Sequence, residues 1–185
     1  TEIKSETQSA ISLVNYYYEE SKKGITEETA KKKACEALRN LRYGDDASGY
    51  FWIDDTDYNL VMHPVLSDQE GDNRYDLTDK NGTKIIQKIM KTAESGGGYN
   101  EFYFTKSDGK TVAPKVAYSE EFKQWNWVIT TGIYIDDINN IVNSSDDISR
   151  ITKIFKGATI FMIIEGVILI IITMVISYIL IKRIC

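Results

Sequence analysis

Residues 157–181, GATIFMIIEGVILIIITMVISYILI, form a stretch of 25 residues in which Glu165 is the one charged side chain. A bilayer core about 30 Å thick is crossed by about 20 helical residues, so this stretch is long enough to span with some tilt. It is apolar all round, unlike the one-sided helix of a globular core. The sequence therefore predicts a C-terminal transmembrane helix at 157–181. A single span is no solute pathway; it anchors a domain or carries a signal. An ionisable group inside such a helix is a functional candidate, and Glu165 is expected at a helix–helix interface. Lys182 and Arg183 follow the run while Arg150, Lys153 and Lys156 precede it, so the positive-inside count gives no orientation.

The remaining polar part is large enough for one domain with a proper core. Of 22 Lys and Arg and 27 Asp and Glu, Lys182, Arg183 and Glu165 alone lie beyond residue 156, so that part is net acidic. An acidic balance argues against nucleic acid as a partner. It leaves room for an anionic ligand in a local pocket. Cys35 and Cys185 fall on either side of the expected span and make no disulfide pair. One histidine and one domain cysteine give no metal-ligand cluster, and no cofactor is implied. Thr1 is not Met and four residues follow the run, so the chain reads as a fragment of a longer protein whose first membrane helix precedes Thr1.

Ile3, Thr7, Ala10, Val14 and Tyr17 recur at four- and three-residue steps, predicting a long helix over 2–23. Its stripe packs on the domain's own sheet or, in addition, on a second copy in a homodimer. Thr26 is placed to cap a second helix with Glu27 and Glu28 in its first turn, Ala30, Ala34, Leu38 and Leu41 buried, and Gly44 at its end. Strands are predicted at 49–53 and 59–63, separated by a solvated turn at Asp54-Asp-Thr-Asp57. A polar loop with no structure of its own follows over 65–77. Ile85, Ile86, Ile89, Met90 and Ala93 mark a helix between Asn81 and Ser95. Further strands are expected at 99–105, 111–118 and 125–134, with Trp125 and Trp127 as core aromatics and an exit helix from Ile135, its start marked by Asp136 and Asp137. The order describes an α+β domain around one antiparallel sheet of about five strands.

Seven groups of residues, in this order and spacing, carry a resemblance: Leu41-Arg-Tyr-Gly44, Gly49-Tyr-Phe-Trp-Ile-Asp-Asp55, Met62-His-Pro64, Asp79-Lys-Asn-Gly82 with Gly96-Gly-Gly98, Pro114-Lys115 with Tyr118, Trp125-Asn-Trp127 and Thr131-Gly-Ile-Tyr-Ile-Asp-Asp137. Over residues 35–140 the chain resembles a single Cache domain, the extracytoplasmic sensor module of bacterial methyl-accepting chemotaxis proteins. The resemblance implies a PAS-like sheet with a long N-terminal helix and a small-molecule pocket. It divides the chain into an N-terminal helix at 1–25, a ligand-binding domain at 26–140, an exit helix at 141–156, the span, and the start of a cytoplasmic linker at 182–185. It also implies a cell-membrane location with the domain outside, and cytoplasmic chemotaxis or histidine-kinase partners.

A pocket for a short carboxylate such as acetate, propionate, lactate or pyruvate needs a few polar groups converging among aromatics. Tyr50 and Trp52 share one strand face and can line a wall. His63, the one histidine, matches the family's His-Pro, where the imidazole faces the ligand; its ordinary titration range would make binding pH-dependent. Lys115 and the Tyr118 hydroxyl match a Pro-Lys…Tyr pattern suited to a carboxylate. Arg42 offers a guanidinium fork or braces its loop. No nucleophile–base pair stands out, so the chain is read as a sensor and not as an enzyme.

Overall fold

The computed structural model describes residues 2–44, 47–106, 108, 110–137 and 156. The expected exit helix beyond Asp137 (Lys156 apart), the span at 157–181, Glu165 and the linker at 182–185 lie outside the described residues. Among the described residues no helix is long and apolar enough to cross a membrane.

Helix α1 (Glu2–Ser21) buries Ile3, Thr7, Ala10 and Val14, four of the five positions of the predicted stripe. They pack against α2 and the sheet, so the heptad pattern is accounted for within one chain. Thr26 caps α2 (Glu27–Asn40) by accepting the Thr29 N–H at 3.2 Å. The helix stops before Leu41, which turns extended and is 37% exposed, not buried as its spacing suggested. The chain leaves the helix early because Tyr43 pairs with Gly49, each N–H donating to the other's carbonyl. A Cβ at Gly49 would lie 2.6 Å from the Tyr43 ring, so the close approach requires glycine.

The sheet follows in five antiparallel strands, β1 (Phe51–Asp55), β2 (Leu60–Met62), β3 (Gly98–Thr105), β4 (Val112–Phe122) and β5 (Trp127–Tyr134). Their spatial order is β2-β1-β5-β4-β3. The predicted turn at 54–57 begins later: Asp54 and Asp55 belong to β1, paired with Val128 and Trp127. Asp54 is fully buried, because an arginine from a distant loop neutralises it. Asp55 forms the turn, its Oδ1 accepting the N–H groups of Asp57 and Asn59. Strand β4 runs to Phe122, and a short 3₁₀ turn (Lys123–Trp125) ends on left-handed Asn126, so β5 starts at Trp127. Trp125 and Trp127 are buried with ring centroids 4.8 Å apart, as core aromatics.

Strand alternation divides the apolar residues between two faces. Phe51, Ile53, Phe122, Trp127 and Ile129 meet α1 and α2 on one side. Tyr50, Trp52, Phe102, Ala117 and Val128 meet α3 (Ile85–Glu94) on the other, through the predicted Ile85, Ile86, Ile89, Met90 and Ala93. The segment after β2 has structure of its own. It contains a 3₁₀ turn (Ser67–Gln69) and hydrogen-bonds along the outer edge of β2, with Leu60 N–H to Asp72 O, Gly71 N–H to Leu60 O and Arg74 N–H to Tyr58 O at 2.7–3.0 Å. Asp79 fastens the end of this segment, accepting the N–H groups of Asn81 and Thr83 with one oxygen and Tyr103 of β3 with the other.

Candidate functional site

The face of the sheet that meets α3 holds a narrow, partly open cavity of about 10 Å³, room for a single water-sized body. Trp52 from β1, Phe102 and Phe104 from β3, and Ile85 and Ile86 from α3 form its apolar walls. Three cationic or ionisable groups converge there: His63 just past β2, Arg74 from the edge segment, and Lys115 from β4.

Lys115 is 1% exposed. Its Nζ donates to the Tyr50 hydroxyl at 2.9 Å and lies 4.6–4.9 Å from the ring centroids of Tyr50, Trp52 and Tyr134. Among the described residues no acidic side chain pairs with it. Burial alone brings its amine down to about 7.

Arg74 is spent differently. Its Nε donates to Asp54 Oδ1 at 2.9 Å, and Nη2 donates to the same oxygen. Burial raises the Asp54 carboxyl while the Arg74 bonds oppose the rise, so the pair stands as its own counter-charge.

His63 is 2% exposed, and its Nδ1 accepts the N–H groups of Val65 and Leu66 at 3.1 and 3.0 Å. Two backbone donors on Nδ1 place the proton of the neutral ring on Nε2, leaving a donor there. Burial, then Arg74, Lys115 and Arg39, holds the imidazole at about 3. The expected titration of His63 near neutral pH is thereby corrected: the ring stays neutral across the physiological range.

The structure thus brings Tyr50, Trp52, His63 and Lys115 together. It does not bring Tyr118 or Arg42 to them. Tyr118 is three residues from Lys115 along β4, and an odd step places it on the opposite face, with Lys4 of α1 over its ring and its hydroxyl donating to Glu120. Arg42 is exposed and donates to the carbonyls of Arg39 and Leu41, bracing the end of α2. Arg74 was missed. It lies in a polar loop with no periodic signal, and the single clue was an acidic residue inside what reads as a strand, Asp54.

The arrangement is a small, largely aromatic chamber with one buried amine that has no acidic partner among the described residues, one neutral N–H donor and one self-neutralised pair. It suits a ligand carrying a single negative charge. The model of the family described as single Cache domain 2 matches residues 1–147. The sensor histidine kinase MctS of Rhizobium johnstonii is 36% identical over 137 residues, 74% of this chain and 29% of the length of that relative. The solved periplasmic sensor domain of a chemotaxis protein is 29% identical with a TM-score of 0.69, covering 72% of this chain and 93% of that one. A solved Cache chemosensory domain described for carboxylic acid recognition is 25% identical with a TM-score of 0.69, covering 72% and 91%.

Proposed function

The chain belongs to the single Cache domain 2 family, and on that premise we propose that its chamber around Lys115 binds a short monocarboxylate. The observation that carries the reading is the Lys115 amine, buried among a hydroxyl and aromatic rings with no acidic partner among the described residues. A buried charge is tolerated when it is paired, and a ligand carboxylate supplies the pair. In this reading the His63 Nε2–H, and the Tyr50 hydroxyl that already accepts from Lys115, complete the recognition of its oxygens. With Arg74 matched by Asp54, a second ligand charge would be buried without a partner, so dicarboxylates are disfavoured. The cavity of about 10 Å³ must open to admit even acetate, which favours the smallest acids and a ligand-dependent shape. Carboxylic acid recognition by a structurally similar Cache domain supports the same ligand class.

In this reading the chain binds and does not turn over its ligand. The domain lies outside the cell, the apolar run at 157–181 is its membrane helix, and binding favours one of two arrangements of the domain that the membrane helix transmits inward. Pairing with a second copy and contact with cytoplasmic signalling partners belong to the same proposal and rest on family membership. The output is a chemotaxis signalling module; the 36% identity to a sensor histidine kinase favours kinase output as the second reading.

The test is a thermal-shift panel of acetate, propionate, lactate and pyruvate on the full chain in detergent micelles. A true ligand at 100 times its dissociation constant adds about 2.7 kcal/mol of stability. A panel that leaves the melting temperature unchanged refutes the ligand class.

A further inference from the structure

His63 is held from three directions, all of them by residues that do not line the chamber. The ring is fixed by the N–H groups of Val65 and Leu66 on Nδ1. The peptide of His63 is fixed separately. Its N–H donates to Glu70 Oε1 at 2.8 Å, and its carbonyl accepts Arg39 Nη1 at 3.3 Å. Arg39 and Glu70 are themselves joined as a two-pronged pair, Nη1 to Oε1 at 2.7 Å and Nη2 to Oε2 at 2.9 Å. Burial would raise the Glu70 carboxyl, but the Arg39 bonds and the His63 N–H outweigh it and lower it. Arg39 belongs to α2, so the clamp ties that helix to the one imidazole of the chamber.

We propose that Glu70, held in place by Arg39, is a positioning residue that fixes the His63 backbone and so aims the Nε2–H at the ligand. Glu70 has two separable duties here. As an anion it pairs with Arg39; as an acceptor it takes the His63 N–H. An ion pair that merely braced the fold would need the first duty alone. Aiming the imidazole needs the second, because a histidine whose peptide is free can swing its ring by several torsions while still satisfying Nδ1. The inference rests on the carboxylate reading for its ligand arm but not for its geometry.

The test compares wild type with Glu70→Gln, Glu70→Ala and the exchange Arg39→Glu with Glu70→Arg, in the full chain in detergent micelles. Glutamine keeps an acceptor oxygen and loses the charge. The exchange keeps a charge pair and loses the acceptor, since a guanidinium only donates. The chain has one histidine, so its imidazole nitrogen NMR signals report on His63 alone. Without ligand, all four proteins should keep the Nε2–H tautomer, since Val65 and Leu66 still donate to Nδ1, but wild type and Glu70→Gln should show one sharp set of imidazole signals, whereas Glu70→Ala and the exchange should show signals shifted and broadened by ring motion. Propionate affinity should stay within about threefold for Glu70→Gln and fall about tenfold for the other two. Wild-type signals and affinity in the exchanged protein would overturn the proposal, as would unperturbed His63 signals in Glu70→Ala. If wild type bound no propionate, the carboxylate reading would fall, and the NMR arm would still decide the positioning role.

Discussion

Replacing Lys115 by Met tests whether the buried amine is desolvated in the ligand-free domain. The folded-state amine titrates near 7 and the unfolded one near 10.5. Below pH 7 both states carry the proton, and the whole burial penalty, up to about 5 kcal/mol, weighs on the fold. Between 7 and 10.5 the unfolded chain binds more protons, so stability rises with pH. Above 10.5 the penalty is gone. Methionine removes the charge and keeps most of the volume. Its stability advantage over wild type should therefore shrink by about 2.5 kcal/mol between pH 6 and pH 9. Urea denaturation of both proteins at the two pH values measures this. The rings of Tyr50, Trp52 and Tyr134 return part of the penalty through cation–π attraction, which narrows the change without reversing its sign. A difference independent of pH, or one that grows toward pH 9, refutes the claim that the amine is desolvated. Saturating propionate should flatten the wild-type dependence, because the bound carboxylate holds the proton on Lys115.

Other outcomes follow from the same contacts. Arg74→Ala leaves the fully buried Asp54 carboxylate unpaired and should cost about 3–5 kcal/mol, with a large part recovered in the Asp54→Asn, Arg74→Met double variant; chemical denaturation of the cycle measures it. The imidazole of His63, at about 3 folded against 6.5 unfolded, contributes stability that is complete above pH 6.5 and lost as pH falls toward 3. Accordingly, a Lys115→Met, His63→Gln double variant should lose less stability between pH 7 and pH 4 than Lys115→Met does. At Gly132 a Cβ would lie 2.6 Å from the Val116 carbonyl oxygen, so Gly132→Ala should lower the melting temperature by several degrees, about 1–3 kcal/mol.

The fold was legible where periodicity and capping agree. The α3 stripe, the Thr26 cap, and the order of helices and strands as far as β5 stand, because each is a local signal that tertiary packing reinforces. Boundaries failed where a distant partner decided them. Asp54 reads as a turn residue until Arg74, twenty positions away, neutralises it inside β1. Leu41 continues the α2 spacing, but the bridge between Tyr43 and Gly49 pulls the chain out of the helix. At the site, the same-face pair Tyr50 and Trp52 followed from alternation. The same rule, applied to Lys115 and Tyr118, would have separated them. Arg39 and Glu70 carry no sequence signal at all, since their partnership is made by the turn after β2.

The central claim is that a ligand carboxylate pairs with the buried Lys115 amine, and propionate calorimetry at pH 8 in buffers of different ionisation enthalpy tests it most directly. With the free amine near 7, binding should take up about 0.9 proton per propionate, and Lys115→Met should abolish both the uptake and the binding. Propionate binding without proton uptake, or unweakened binding to Lys115→Met, would contradict it.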